Sequence, residues 1–158
     1  MVLRHVHPYH LFEFAQRWYL LAHDVKRRAI RTFVLGRMRE ATVTNEKFQV
    51  PADFDARKHF ETSLGVMSGQ GDYRVVIEMD AWLTDILRGR RWHPSQEIVE
   101  LPDGRSQLRL RLSCLEETEQ YLLSWGIHAT AAEPAELRTR VLSTVRELSQ
   151  RYHLKRET

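Results

Sequence analysis

The order of short elements in the second half of the chain constrains its fold more than any other feature of the sequence. Tyr73 to Met79 alternates as a half-buried strand does, and Asp80 follows it as a helix N-cap. Trp82, Leu83, Ile86 and Leu87 then repeat at helical spacing, with Gly89 just past the end. Glu97 to Leu101 and Gln107 to Ser113 read as strands joined across Asp103 and Gly104, a strong hairpin signal. Leu115 to Trp125 is a helix ended by Gly126, and Ile127 to Ala132 is a last strand. Strand, helix, strand, strand, helix, strand is the order of a ferredoxin-like split βαβ domain. A closing helix starts at Pro134, a favourable first-turn residue. Leu137, Val141, Val145, Leu148 and Tyr152 give it one apolar face, which can lie on its own sheet or on a second subunit.

The first half reads differently. Leu3 to His7, Tyr9 to Phe14, Arg17 to His23, Ala29 to Leu35 and Met38 to Thr44 are short strands, the first two parted by Pro8 or merged into one bent or edge strand. The polar run Asp24 to Arg28 makes a hairpin loop, and this spacing favours a small barrel or a strongly curved sheet. Asp53 or Asp55 can cap a helix through about Leu64, before the Gly65, Ser68, Gly69, Gly71 cluster that forms the best domain boundary and a natural hinge. At 158 residues, 42% hydrophobic and 28% charged, the chain can bury two small cores. The expected class is α+β.

Charge is unevenly spread. Residues 1–50 hold 9 Lys and Arg against 4 Asp and Glu, whereas residues 51–158 hold 15 against 17, so the whole positive excess lies in the first half. His5, His7, His10 and His23 add to it on partial protonation. Localised positive charge points to an anionic partner such as a nucleic acid or nucleotide. No apolar run approaches the roughly 20 residues of a membrane span, and no signal pattern opens the chain, so a cytoplasmic location with no membrane partner is expected. Cys114 is the single cysteine and sits in an alternating run, as a small buried hydrophobe does.

Arg31 and Arg37 are the strongest binding candidates, because guanidinium forks grip phosphate in a bidentate way and stay charged at any physiological pH. Trp18 and Tyr19 are adjacent on one strand and therefore face opposite ways. The exposed one can stack on a nucleobase, and Tyr19, with a hydroxyl that can reach a phosphate, is the preferred candidate. His7 and Tyr9, flanking Pro8, join the candidate site, and Phe33 is assigned to the core. His5 and His7 share a strand face, but no Asp, Glu or Cys stands close enough in sequence to complete a tetrahedral set, so no metal is expected. There is no phosphate-binding glycine loop, nucleophile elbow or zinc-deaminase spacing, so neither a catalytic residue nor a cofactor is expected.

The run Arg17, Trp18, Tyr19, Leu20, Leu21, Ala22, followed by Arg31, Thr32, Phe33 and Arg37, resembles the WYL domain named for that tripeptide. Arg91 to Gln96, Asp103 and Gly104, Trp125 and Gly126, and Glu133 and Pro134 resemble the C-terminal extension, WCX, that follows a WYL domain in bacterial transcription regulators. The resemblance implies an Sm-like barrel over residues 1–50, incomplete at its N-terminus, then a helical linker over 51–71 and a ferredoxin-like extension over 72–158. It also implies that Arg31 and Arg37 belong to a basic patch for a single-stranded nucleic-acid or nucleotide effector, in a homodimer. Such regulators usually reach operator DNA through an N-terminal winged helix-turn-helix, which this sequence does not contain. The expected function is the effector-sensing and oligomerising part of such a regulator. The alternative is a stand-alone accessory protein that modulates a CRISPR or phage-defence type system by protein contact.

Overall fold

A computed structural model of the chain describes residues 2–152, in two compact units that divide between Phe60 and Glu61. Met1 and residues 153–158, which the expected domain limits include, lie outside the described residues. In the first unit, β1 (Val6–Phe14), β2 (Arg17–Asp24) and β3 (Ala29–Val34) form an antiparallel meander. The two strands expected around Pro8 are one. Pro8 has no N–H to donate, and the pairing with β2 shifts between Pro8 and His10, so Tyr9 is the extra residue of a bulge on an edge strand. Ala15 and Gln16 make the β1–β2 turn with both φ values positive (49° and 60°), the condition of a primed hairpin turn, and the Gln16 N–H donates to Glu13 Oε1 at 2.7 Å. The expected loop from Asp24 to Arg28 is present, with Asp24 Oδ1 accepting from the Arg27 N–H at 3.0 Å.

The expected strand Met38–Thr44 does not form. After a 3-10 turn, Leu35–Arg37, the chain runs without regular structure to Asp55. The left-handed backbone of Glu40 (φ 54°) interrupts any extended run, and the residues around it are exposed. Three strands cannot close on themselves, and among the described residues there is no closed barrel. The expected helix is a single turn, α1 (Ala56–His59). Asp55 caps it, accepting from the Arg57 and Lys58 N–H groups at 2.8 and 3.4 Å, and it stops at Phe60 instead of continuing to Leu64.

The second unit contains β4 (Tyr73–Met79), α2 (Ala81–Leu87), β5 (Glu97–Glu100), β6 (Ser106–Leu112), α3 (Glu116–Trp125), β7 (Ala129–Glu133) and α4 (Ala135–Arg151). The strands form one antiparallel sheet in the order β5-β6-β4-β7, so that β4 and β6 are central and well shielded. Val75, Ile77, Met79, Leu108, Leu110 and Leu112 join Leu83, Leu87, Leu115, Leu122 and Leu137 in one continuous core. Asp80 caps α2 through the Leu83 N–H at 2.9 Å, and its other oxygen meets His128 Nδ1 at 2.7 Å. On α4 the expected apolar face divides: Leu137 is fully buried and Val141 packs on the core, whereas Val145, Leu148 and Tyr152 are exposed.

The glycine-rich segment is not a free hinge. Glu117 Oε1, buried on α3, accepts from the Val66 and Met67 N–H groups at 2.7 and 3.1 Å. The Gly71 N–H donates to the Ser113 carbonyl at 3.1 Å, and the Ser113 N–H donates to the Thr62 carbonyl at 2.8 Å. A side chain on Gly69 would collide with the Ser113 carbonyl oxygen. The glycine therefore permits close approach of two backbone segments, a need that looks like flexibility when only the sequence is known.

Candidate nucleic-acid interface

The strand register of the first unit sorts the candidate residues onto two faces, since side chains alternate along each strand. One face carries Tyr19, Leu21 and His23 of β2, with Phe12 and His7 opposite on β1. The loop after β3 returns aromatic rings to this face. His7 stacks on Phe48 (4.7 Å, 6° between planes), Tyr9 meets Phe54 at 5.0 Å, and Phe12 lies between Tyr19 (5.4 Å) and Phe60 (5.1 Å). Tyr19 is 8% exposed and fills this small core.

The other face carries Trp18, Leu20 and Ala22, with Leu11 opposite on β1 and Phe33 and Arg31 opposite on β3. Trp18 is 54% and Leu11 52% exposed, and Leu20 and Phe33 are half-buried, so Phe33 does not enter a closed core. Arg31, opposite Ala22, lies at one end of this apolar strip. Arg37 ends the 3-10 turn that follows Val34, the register partner of Tyr19, and so lies toward the Trp18 end. Both arginines are exposed, and among the described residues neither has a carboxylate partner. The five candidates are therefore not brought together. Tyr19, His7 and Tyr9 share one face, and Arg31 lies on the other. The exposed member of the aromatic pair is Trp18, contrary to the preference for Tyr19. The signal that could have found it is the paired burial of Tyr19 and Leu21 against a cluster of distant phenylalanines, which no local pattern displays.

A carboxylate does reach the histidines of β1. Glu46, far along the chain, has Oε2 3.2 Å from His5 Nε2 and Oε1 3.8 Å from His7 Nε2. The expectation that no Asp, Glu or Cys stands close enough to complete a tetrahedral set around His5 and His7 is corrected in one respect, because loop closure supplies a third group, Glu46, that sequence proximity does not.

In the second unit, Trp92 packs against Tyr121 (5.0 Å) and Trp125 (5.3 Å), and its backbone N–H donates to Gln96 Oε1 at 2.8 Å. His93 is buried with Nδ1 2.7 Å from Ser95 Oγ, and burial pushes its imidazole below the usual 6.5. Arg91 donates to the Pro94 carbonyl at 3.1 Å. This run is structural, holding the loop before β5. Trp82, Trp92, Trp125, Arg90 and His128 border an open cavity of about 260 Å³. Cys114 donates to the Met67 carbonyl, and burial pushes its thiol up to about 11, as befits a packed and unreactive sulfur. No helix among the described residues is long and apolar enough to cross a membrane.

The first unit is thus an antiparallel sheet with one aromatic-lined face and one exposed apolar strip, and the second is a βαββαβ unit. The family model of the WYL domain matches residues 1–43 and that of the WCX domain residues 71–149, and the chain belongs to the family in which a WYL domain is followed by a WCX domain. Among solved structures it is similar to the proteasome accessory factor B/C (PafBC) of Arthrobacter aurescens, at 25% identity and a TM-score of 0.37, over 90% of this chain and 22% of that one. The chain thus spans about a fifth of the length of that relative. No curated protein matches it.

Proposed function

We propose that this chain is the effector-sensing and oligomerising part of a transcriptional regulator, and that a single-stranded nucleic acid or nucleotide binds the Trp18 face of its first unit. The observation that carries this reading is an apolar strip with Trp18 exposed on it and Arg31 exposed at one end, with Arg37 exposed in the turn just beyond β3. Guanidinium groups would hold phosphates while the indole stacks on a base, an arrangement that tolerates many sequences. Family membership supports a regulatory, non-enzymatic role. We read residues 1–50 as the WYL domain, with an Sm-like sheet, residues 51–71 as a linker, and residues 72–158 as a ferredoxin-like extension, a reading supported by the β5-β6-β4-β7 order. Homodimerisation would draw on the exposed Val145, Leu148 and Tyr152 of α4. A cytoplasmic location follows from the regulatory reading.

The test is fluorescence anisotropy of short single-stranded DNA and RNA across a salt series. The native chain should bind with a steep salt dependence. The double variant Arg31→Ala, Arg37→Ala should lose about 1.4 from the slope of log affinity against log salt, two phosphate contacts at roughly 0.7 each. An unchanged slope and affinity would remove the arginines from the site.

A further inference from the structure

His5 stands just before β1 and His7 is the second residue of that strand, so both imidazoles lie on one side of the sheet edge with their rings 5.8 Å apart, edge to face. Two different contacts hold the loop that supplies the third group. Phe48 stacks flat on His7, and Glu46, two residues earlier, directs its carboxylate between the two imidazoles. The ligand atoms of His5, His7 and Glu46 all lie within 4.8 Å of one another. Oxygen to His5 Nε2 is 3.2 Å, close to the edge of about 3.3 Å of a tetrahedron whose metal–ligand bonds are about 2.05 Å, and the 3.8 Å to His7 Nε2 needs only a small rotation of Glu46. His7 Nε2 is itself buried and has no hydrogen-bond partner among the described residues. An unsatisfied buried nitrogen costs free energy unless something binds it, and an ion there would satisfy it.

From this geometry we propose that His5, His7 and Glu46 bind a divalent transition-metal ion of the zinc type. Two imidazoles and one carboxylate are borderline ligands that suit zinc and its neighbours better than magnesium or calcium, which prefer all-oxygen sets. Three protein ligands leave a coordination position open for water or an exogenous donor. The ion would fasten residues 46–48 to β1, and thereby hold the aromatic loop over the Tyr19 face. This site is independent of the proposed effector site, whose arginine and tryptophan lie on the opposite face of the sheet.

The experiment is calorimetric titration of the full chain with Zn²⁺ alone, without nucleic acid, for the native protein and the variants Glu46→Gln, His7→Ala and His10→Ala. His10 is a neighbouring strand histidine outside the group, and Glu46→Gln changes one exposed side chain, so both variants keep the fold testable by circular dichroism. The native chain should bind one equivalent. Glu46→Gln and His7→Ala should each weaken binding by about tenfold at least, since even losses in the outer shell of a metal site have that effect. His10→Ala should bind as the native chain does. No binding by the native chain at micromolar concentration, or binding that survives both Glu46→Gln and His7→Ala, or binding lost with His10→Ala, would overturn the proposal.

Discussion

The two units use similar sheets in opposite ways. In the second, inward-facing residues of the central strands join helix residues in one core, and Val75, Ile77, Met79, Leu112 and Leu137 are all but inaccessible to water. In the first, the sheet has no helix longer than one turn. One face is covered by an irregular loop carrying Phe48 and Phe54, and the other leaves Leu11 and Trp18 in solvent. The difference teaches where each kind of residue is spent. The second unit invests its apolar residues in a frame, and the first keeps part of its apolar and cationic surface available for contact.

Substitutions should separate these roles. The largest effect is expected at the frame. Leu112→Ala leaves a cavity under the central strand pair and should lower unfolding stability by roughly 2–5 kcal/mol in urea denaturation. If the loss is below about 1 kcal/mol, the second unit is not the rigid half. Next is the sulfur at the meeting of the 61–71 segment with β6. With its thiol raised to about 11 from an ordinary 9.0, Cys114 should hold roughly 100-fold less thiolate at neutral pH folded than unfolded. Alkylation by iodoacetamide should therefore be slow until denaturant is added, and rapid native labelling would show that the segment is loosely held.

A smaller effect is expected on the contact face, where Trp18→Ala should weaken oligonucleotide binding by about 1–3 kcal/mol, the value of one stacked base, with little change in the melting temperature. Binding that is unaltered would make Trp18 an ordinary exposed side chain. The smallest effect concerns pH. The Asp80 carboxyl lies below its usual 3.8, held there first by the Leu83 N–H and then by His128. Because its folded pKa is lower than its unfolded one, the stability it confers is complete above the unfolded value and is lost as pH falls through the folded value. Asp80→Asn should lower the melting temperature slightly at neutral pH and flatten its decline toward about pH 3. An equally steep acid decline in the variant would assign that decline to other carboxylates.

Local pattern reveals the second unit well because its elements are locally determined. Asp80 and Gly89 bound α2, Asp103 and Gly104 turn the β5–β6 hairpin with Gly104 at φ 81°, and Gly126 ends α3, all as their residue types require. The first unit is determined by contacts between distant residues. Nothing in Met38 to Thr44 says that the chain will leave the sheet there, and nothing near Tyr19 says that Phe60, beyond the loop, will help bury it through Phe12. The same long-range closure brought Glu46 to the histidines. Arg31 and Arg37 were legible as candidates from their chemistry. The separation of Arg31 from Tyr19, His7 and Tyr9 by the thickness of the sheet was not, because it depends on the bulge at Tyr9 and on the β2–β3 register.

The most direct test of the account is to ask which face of the first unit binds single-stranded nucleic acid. Anisotropy should be measured for Trp18→Ala with Arg31→Ala on one face, and for Tyr9→Phe with His7→Gln on the other, the second pair keeping the Tyr9 ring and replacing the His7 imidazole, which stacks on Phe48, with a polar amide. If the Trp18 face binds, the first pair abolishes salt-dependent binding and the second leaves it within about twofold, as expected when no contact is removed. Loss with the second pair and retention with the first would contradict it, and would move the site to the face where Tyr19 lies.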